Sequence, residues 1–111
     1  MRPILFALLL LAAAGPARAD FIDGQASFLR DDFAAARLAW EAAAGQGDAR
    51  AQYGLGVLHW RGLGVAVDRK EAIRWFARAA RQGYGPALSA LAGLAAELQE
   101  EDPRRHSGYA I

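Results

Sequence analysis

Apolar residues along this chain recur every three to four positions and never alternate at a period of two, so the pattern predicts helices throughout and no strand. Five segments stand out, at about residues 21–30, 32–44, 48–61, 68–82 and 86–100. In the second, Phe33, Ala36, Trp40 and the pair Ala43/Ala44 share a face, and in the third Ala51, Leu55 and Leu58 form a stripe. The fourth puts Ala72, Trp75, Phe76, Ala79 and Ala80 on its inner side, and the fifth Ala87, Leu91, Leu94 and Leu98. Gly47, Gly62 and Gly83 are placed to stop helices, where a left-handed residue is crowded by any Cβ. Asp48 and Asp68 are placed to start them, with Glu71 as the returning half of a capping box on Asp68.

One unit recurs. Ala43-Ala44 and Gly47 reappear 36 residues later as Ala79-Ala80 and Gly83, and the same offset pairs Asp32 with Asp68, Ala36 with Ala72, Trp40 with Phe76, Ala51 with Ala87 and Leu55 with Leu91. Small matches small and aromatic matches aromatic. Self-similarity at this period predicts an all-α fold, a short α-solenoid of stacked antiparallel helical hairpins, a class that binds partners far more often than it catalyses. The paired alanines let helices approach closely.

The chain's start has a different pattern. Met1-Arg2 precedes an apolar run from Ile4 to Ala14, and Ala17-Arg18-Ala19 supplies a small-x-small site, which together read as a secretory signal peptide over residues 1–19 cleaved after Ala19. The run is well short of the roughly 20 residues that a spanning helix needs, so the expected product is not membrane-spanning and is periplasmic or secreted. Residues 20–101 then form the repeat domain, and the polar, aperiodic residues 102–111 a disordered tail. The absence of cysteine rules out a disulfide framework. With 13 basic and 12 acidic residues in all, loss of Arg2 and Arg18 leaves the exported chain close to neutral, which argues against nucleic acid as a partner.

Candidate chemistry is sparse. His59 lies inside a helix and His106 in the tail, and the serines Ser27, Ser89 and Ser107 sit on separate segments, so no triad of fixed geometry is expected. Zinc ligation lacks both cysteine and a spaced histidine pair. The expectation is a protein that is not an enzyme and holds no metal or cofactor.

Residues 48–83 closely resemble a Sel1-like repeat, a relative of the tetratricopeptide repeat, through Ala51, Tyr53, Leu55, Gly56, Gly62, Gly64, Val65, Asp68, Ala72, Trp75, Ala79, Ala80 and Gly83. His59 departs from the family, which usually has tyrosine there, and the family pattern does not ask for an aromatic at Trp60. The resemblance extends over most of the chain when residues 21–47 are read as a preceding hairpin and 84–100 as the first helix of an unfinished unit, about two and a half repeats in all. It implies a secreted bacterial adaptor or scaffold that holds a protein partner, without a shared catalytic apparatus. The surface formed by the first helix of each hairpin would do the binding, through Gln52, Tyr53, His59, Trp60 and Arg61; the Trp60–Arg61 pair is of the type that dominates interface energetics. The alternative is an envelope-associated binder of anionic lipid or glycan through Lys70, Arg74, Arg78 and Arg81, which recur along one face of the fourth helix. The fifth helix has a small, only partly polar outer face, which leaves homodimerisation through it open.

Overall fold

The computed structural model describes residues 16–100, which form five helices: α1 (Pro16–Leu29), α2 (Phe33–Gly45), α3 (Ala49–Arg61), α4 (Arg69–Arg81) and α5 (Gly85–Glu100). The fold is all-helical, and α1 with α2 and α3 with α4 pair as hairpins that stack through α2 against α3, leaving α5 against α4 as the last layer. This is a short helical solenoid. The apolar run at residues 4–14 and the tail at 102–111 lie outside the described residues. α1 starts five residues before the expected position 21 and carries helix across Ala19, so a cut after Ala19 would remove its first turn and leave Phe21 to Leu29 in place.

Helix ends repeat one hydrogen-bond pattern. After α2, the Gly47 N–H donates to Ala44 O at 3.0 Å and the Asp48 N–H to Ala43 O at 3.1 Å; 36 residues on, Gly83 donates to Ala80 O at 2.9 Å and Tyr84 to Ala79 O at 3.2 Å. Both are Schellman turns, and both need the left-handed residue that glycine provides, at φ +93° and +80°. α1 closes the same way without a glycine. Asp31, at φ +62°, donates to Phe28 O at 3.0 Å, and Asp32 to Ser27 O at 2.9 Å.

The aspartates that follow open the next helices. Asp32 accepts from the Ala35 N–H at 3.2 Å, Asp48 from Arg50 at 3.0 Å and Asp68 from Glu71 at 3.1 Å. Only half of the expected capping box forms at α4. Glu71 does not return to the Asp68 N–H; that donor goes to His59 O at 2.9 Å, and the Glu71 carboxylate pairs with Arg74 at 3.1 Å instead.

The interior divides into two clusters centred on the matched aromatics. Trp40 packs with Ala43, Ala44, Ala51, Leu55 and Leu58, and Phe76 with Ala72 and Leu94. Glycines fit these large rings into an alanine-rich core. The Trp40 indole lies between Gly24 of α1 and Gly54 of α3, and Phe76 lies against Gly56, so that a Cβ on any of these glycines would collide with a ring. The Trp40 Nε1–H also donates to Phe21 O at 3.2 Å, fixing the ring on α1.

Two expectations about inner faces need correction. Trp75 and Ala80 are only half-buried on α4. On α5, Ala87 and Leu94 are buried, Leu94 against Phe76, but Leu98, one turn further on, is 50% exposed.

Candidate partner-binding groove

α3 is the centre of the candidate site because its neighbours claim three of its sides. Ala51, Leu55 and Leu58 enter the core, Gly54 admits Trp40 and Gly56 admits Phe76. At about 100° per residue, the remaining arc carries Arg50, Tyr53, Val57, Trp60 and Arg61. This arc faces α1 on one side and α5 on the other, and a cleft opens along each.

The larger cleft, of about 370 Å³, lies between α1 and α3. Phe21, Phe28 and Leu29 of α1 form one wall, Tyr53 and Val57 of α3 the other, and Tyr84 closes one end. The smaller, of about 270 Å³, lies between α3 and α5, with Trp60, Phe76, Ala90 and Leu94 as its apolar lining and Glu97 at its rim. Tyr53, Val57 and Arg61 line both clefts, so the two form one groove with α3 as its central ridge.

Aromatic stacking fixes that ridge. The Tyr53 ring stacks on Tyr84 with centroids 5.6 Å apart and planes 13° from parallel, and its other contact is Phe76 at 5.5 Å. Arg50 ties α3 to α1: its guanidinium binds Asp48 at 2.9 and 3.1 Å and sits 4.0 Å from the centroid of the Phe21 ring. Burial pushes the Asp48 carboxyl up, but the hydrogen bonds and charge of Arg50 outweigh it, and the group titrates below its ordinary value. Donating these hydrogen bonds to the Asp48 carboxylate raises Arg50 correspondingly.

The residues singled out from the sequence separate into two sets. Tyr53, Trp60 and Arg61 come together along the groove, with Trp60 half-buried and covered on one face by the Arg69 guanidinium at 4.6 Å. Gln52 and His59 line neither cleft. Gln52 is 3% exposed: its amide donates to Ala44 O at 3.3 Å and its Oε1 accepts from Gln82 at 3.0 Å, while Gln82 also donates to Gly47 O at 2.9 Å. These two glutamines clamp the end of α4 to the end of α2, which is a packing role. His59 is half-buried, and its Nδ1 is buried with no hydrogen-bond partner among the described residues.

The basic face of α4 is exposed at all four positions, but two of its cations are engaged. Arg74 pairs with Glu71, and Arg78 lies 4.7 Å from the centroid of the Trp75 ring; Lys70 and Arg81 have no such partner among the described residues. The sequence reading missed the groove's other contributors, Phe21, Phe28, Leu29, Val57 and Tyr84. Phe21 and Phe28 stand seven residues apart, two helical turns, which was the one available signal for the α1 wall.

Among the described residues no group of three or more His, Cys, Asp or Glu side chains could hold a metal ion, and no helix is long and apolar enough to cross a membrane.

Residues 49–84 match the Sel1 repeat family. The chain is also 45% identical over 49 residues to chitin synthase regulatory factor 3 of Schizosaccharomyces pombe, covering 44% of this chain and 5% of that protein. It is 34% identical over 92 residues to an uncharacterized protein of Neisseria meningitidis serogroup B, covering 71% of this chain and 20% of that one. The chain thus spans a small part of the length of either relative. No solved structure gives a significant match. The matches support a Sel1-like repeat over residues 49–84.

Proposed function

Starting from a chain whose residues 49–84 match the Sel1 repeat, we propose that it is an exported adaptor that docks a protein partner along the groove between α1, α3 and α5. The observation that carries this reading is the continuity of the two clefts across Tyr53, Val57 and Arg61. Aromatic walls held by stacking offer large contact area at little further ordering cost, which is what a partner's side chains need on docking. Arg50 and Arg61, set beside apolar and aromatic walls, make the groove amphipathic in the way that peptide-binding surfaces are. Export is read from the signal-like residues 1–19 and would put the protein in the periplasm or outside the cell. Cleavage after Ala19 would keep Phe21, and with it both the Trp40 hydrogen bond and the Arg50 contact.

The test is affinity capture from an envelope extract of the protein's own host, comparing wild type with Leu29→Glu at moderate and high salt. Leu29 is 77% exposed and lines the larger cleft, so a charge there blocks the groove without entering the core. A discrete protein held by wild type at both salts and lost with Leu29→Glu supports groove docking. Capture of lipid or glycan that is lost at high salt, indifferent to Leu29→Glu and abolished by glutamine at Lys70, Arg74, Arg78 and Arg81, would move the function to the basic face of α4. Self-association through the exposed side of α5, which carries Leu88 at 51% and Leu98 at 50% exposure, would appear as a dimeric mass.

A further inference from the structure

We infer that the groove selects an acidic, apolar peptide segment: one large apolar side chain in each cleft and, between them, a carboxylate received by Arg61. The inference rests on the groove being a protein-docking surface and names the chemistry of what it takes. Arg61 lines both clefts and is exposed, yet it meets no carboxylate and no aromatic ring among the described residues. The neighbouring arginines are already engaged: Arg50 is held by Asp48 and Phe21, and Arg69 covers Trp60. A free guanidinium projecting beside apolar walls is a ready donor for a bidentate pair with a carboxylate, and the low polarity of those walls strengthens the pair once water leaves.

Charge also sets the order of the segment. Among the described residues no carboxylate lines the larger cleft, whereas Glu97 stands at the rim of the smaller one and forms no ion pair with Arg61. An incoming acid is therefore favoured on the α1 side of Arg61 and repelled on the α5 side. Cavities flanking a single helix are separated by roughly the interhelical spacing of about 10 Å, which an extended chain covers in about three residues. The expected signature is an acidic residue lying between two large apolar residues about three positions apart, next to the one that enters the larger cleft.

A random library of seven-residue displayed peptides, selected on the full chain and on Arg61→Glu, tests this directly. Wild type is expected to enrich acidic peptides with apolar flanks. Arg61→Glu, with unchanged melting, should lose them by about tenfold or more in affinity and enrich Lys- or Arg-containing peptides instead. Enrichment of apolar peptides with no acidic preference, or an acidic preference that survives Arg61→Glu, overturns the inference while leaving groove docking standing. If neither protein enriches any peptide above a bare-resin control, both the inference and the docking reading fail.

Discussion

Adding one methyl group at Gly54 should destabilise the protein, although the same change in an unconstrained helix stabilises it. In a helix interior, Gly→Ala gains about 0.5–1 kcal/mol from backbone entropy. At Gly54 the new Cβ would lie 2.6 Å from Trp40 Cε3, 2.8 Å from Cζ3 and 2.9 Å from Cδ2. The ring has no room to retreat, since Gly24 of α1 presses its other side and its Nε1–H is bonded to Phe21 O. Overpacking costs about 1–3 kcal/mol, and contacts this short with a confined ring belong at the upper end, about 2–3 kcal/mol, so the net effect is a loss of about 1–2.5 kcal/mol. For a domain of this size that corresponds to a fall in Tm of roughly 5–20 °C. Gly93, within α5, is the internal control: a Cβ there meets nothing within 4 Å, and Gly93→Ala should raise stability by about 0.5–1 kcal/mol. Thermal melts followed by far-ultraviolet circular dichroism measure both. Equal effects of one sign, or a Gly54→Ala protein as stable as wild type, would refute the claim that α3 is shaped by the rings packed against it.

Other substitutions test separate parts of the structure. Asp31→Gly removes a non-glycine residue from a left-handed position and should stabilise by about 0.5–1 kcal/mol in a denaturant titration. Ala79→Leu forces a large side chain into a site with no exposed surface and should cost about 1–3 kcal/mol, read from the same titration. Gln82→Ala leaves the buried Gln52 amide oxygen without its donor and should cost about 1 kcal/mol or more; its effect should not add to that of Gln52→Ala in a double-mutant cycle. Asp48 titrates below its ordinary value of 3.8 in the folded state, so its contribution is complete above that pH and disappears as pH falls through the lower, folded value. The stability gap between wild type and Asp48→Asn, which keeps a capping side chain, should therefore close as the solution is acidified below about pH 4.

Helix number and the centre of each inner face were legible in the sequence because each repeat buries one large aromatic, Trp40 or Phe76, among alanines at fixed spacing. The Asp31 turn was not legible, since aspartate adopts the left-handed conformation only when the surrounding turn imposes it. Leu98 was misplaced for a different reason. Periodicity identifies an apolar stripe, but whether that stripe is covered depends on a neighbour, and on α5 the cover that buries Leu94 leaves Leu98 half-exposed. The same limit divided the candidate site. Tyr53, Trp60 and Arg61 stand on the open arc of α3, whereas Gln52 projects toward the ends of α2 and α4, where its amide satisfies backbone and Gln82 groups. A helix with neighbours on three sides has little free surface, and its sequence alone does not say which arc that is. The α1 wall escaped notice because its aromatics gain their meaning only when α1 folds against α3.

Site-specific photocrosslinking in the host tests the central claim that the groove holds a protein partner. Benzoylphenylalanine in place of Leu29 probes the larger cleft, and in place of Leu38, 61% exposed on α2 and lining neither cleft, it probes ordinary surface. A discrete protein adduct from position 29 and none from position 38 is the predicted result. Adducts of equal yield from both positions, or none from position 29 while a probe at Arg74 captures a partner, would contradict it.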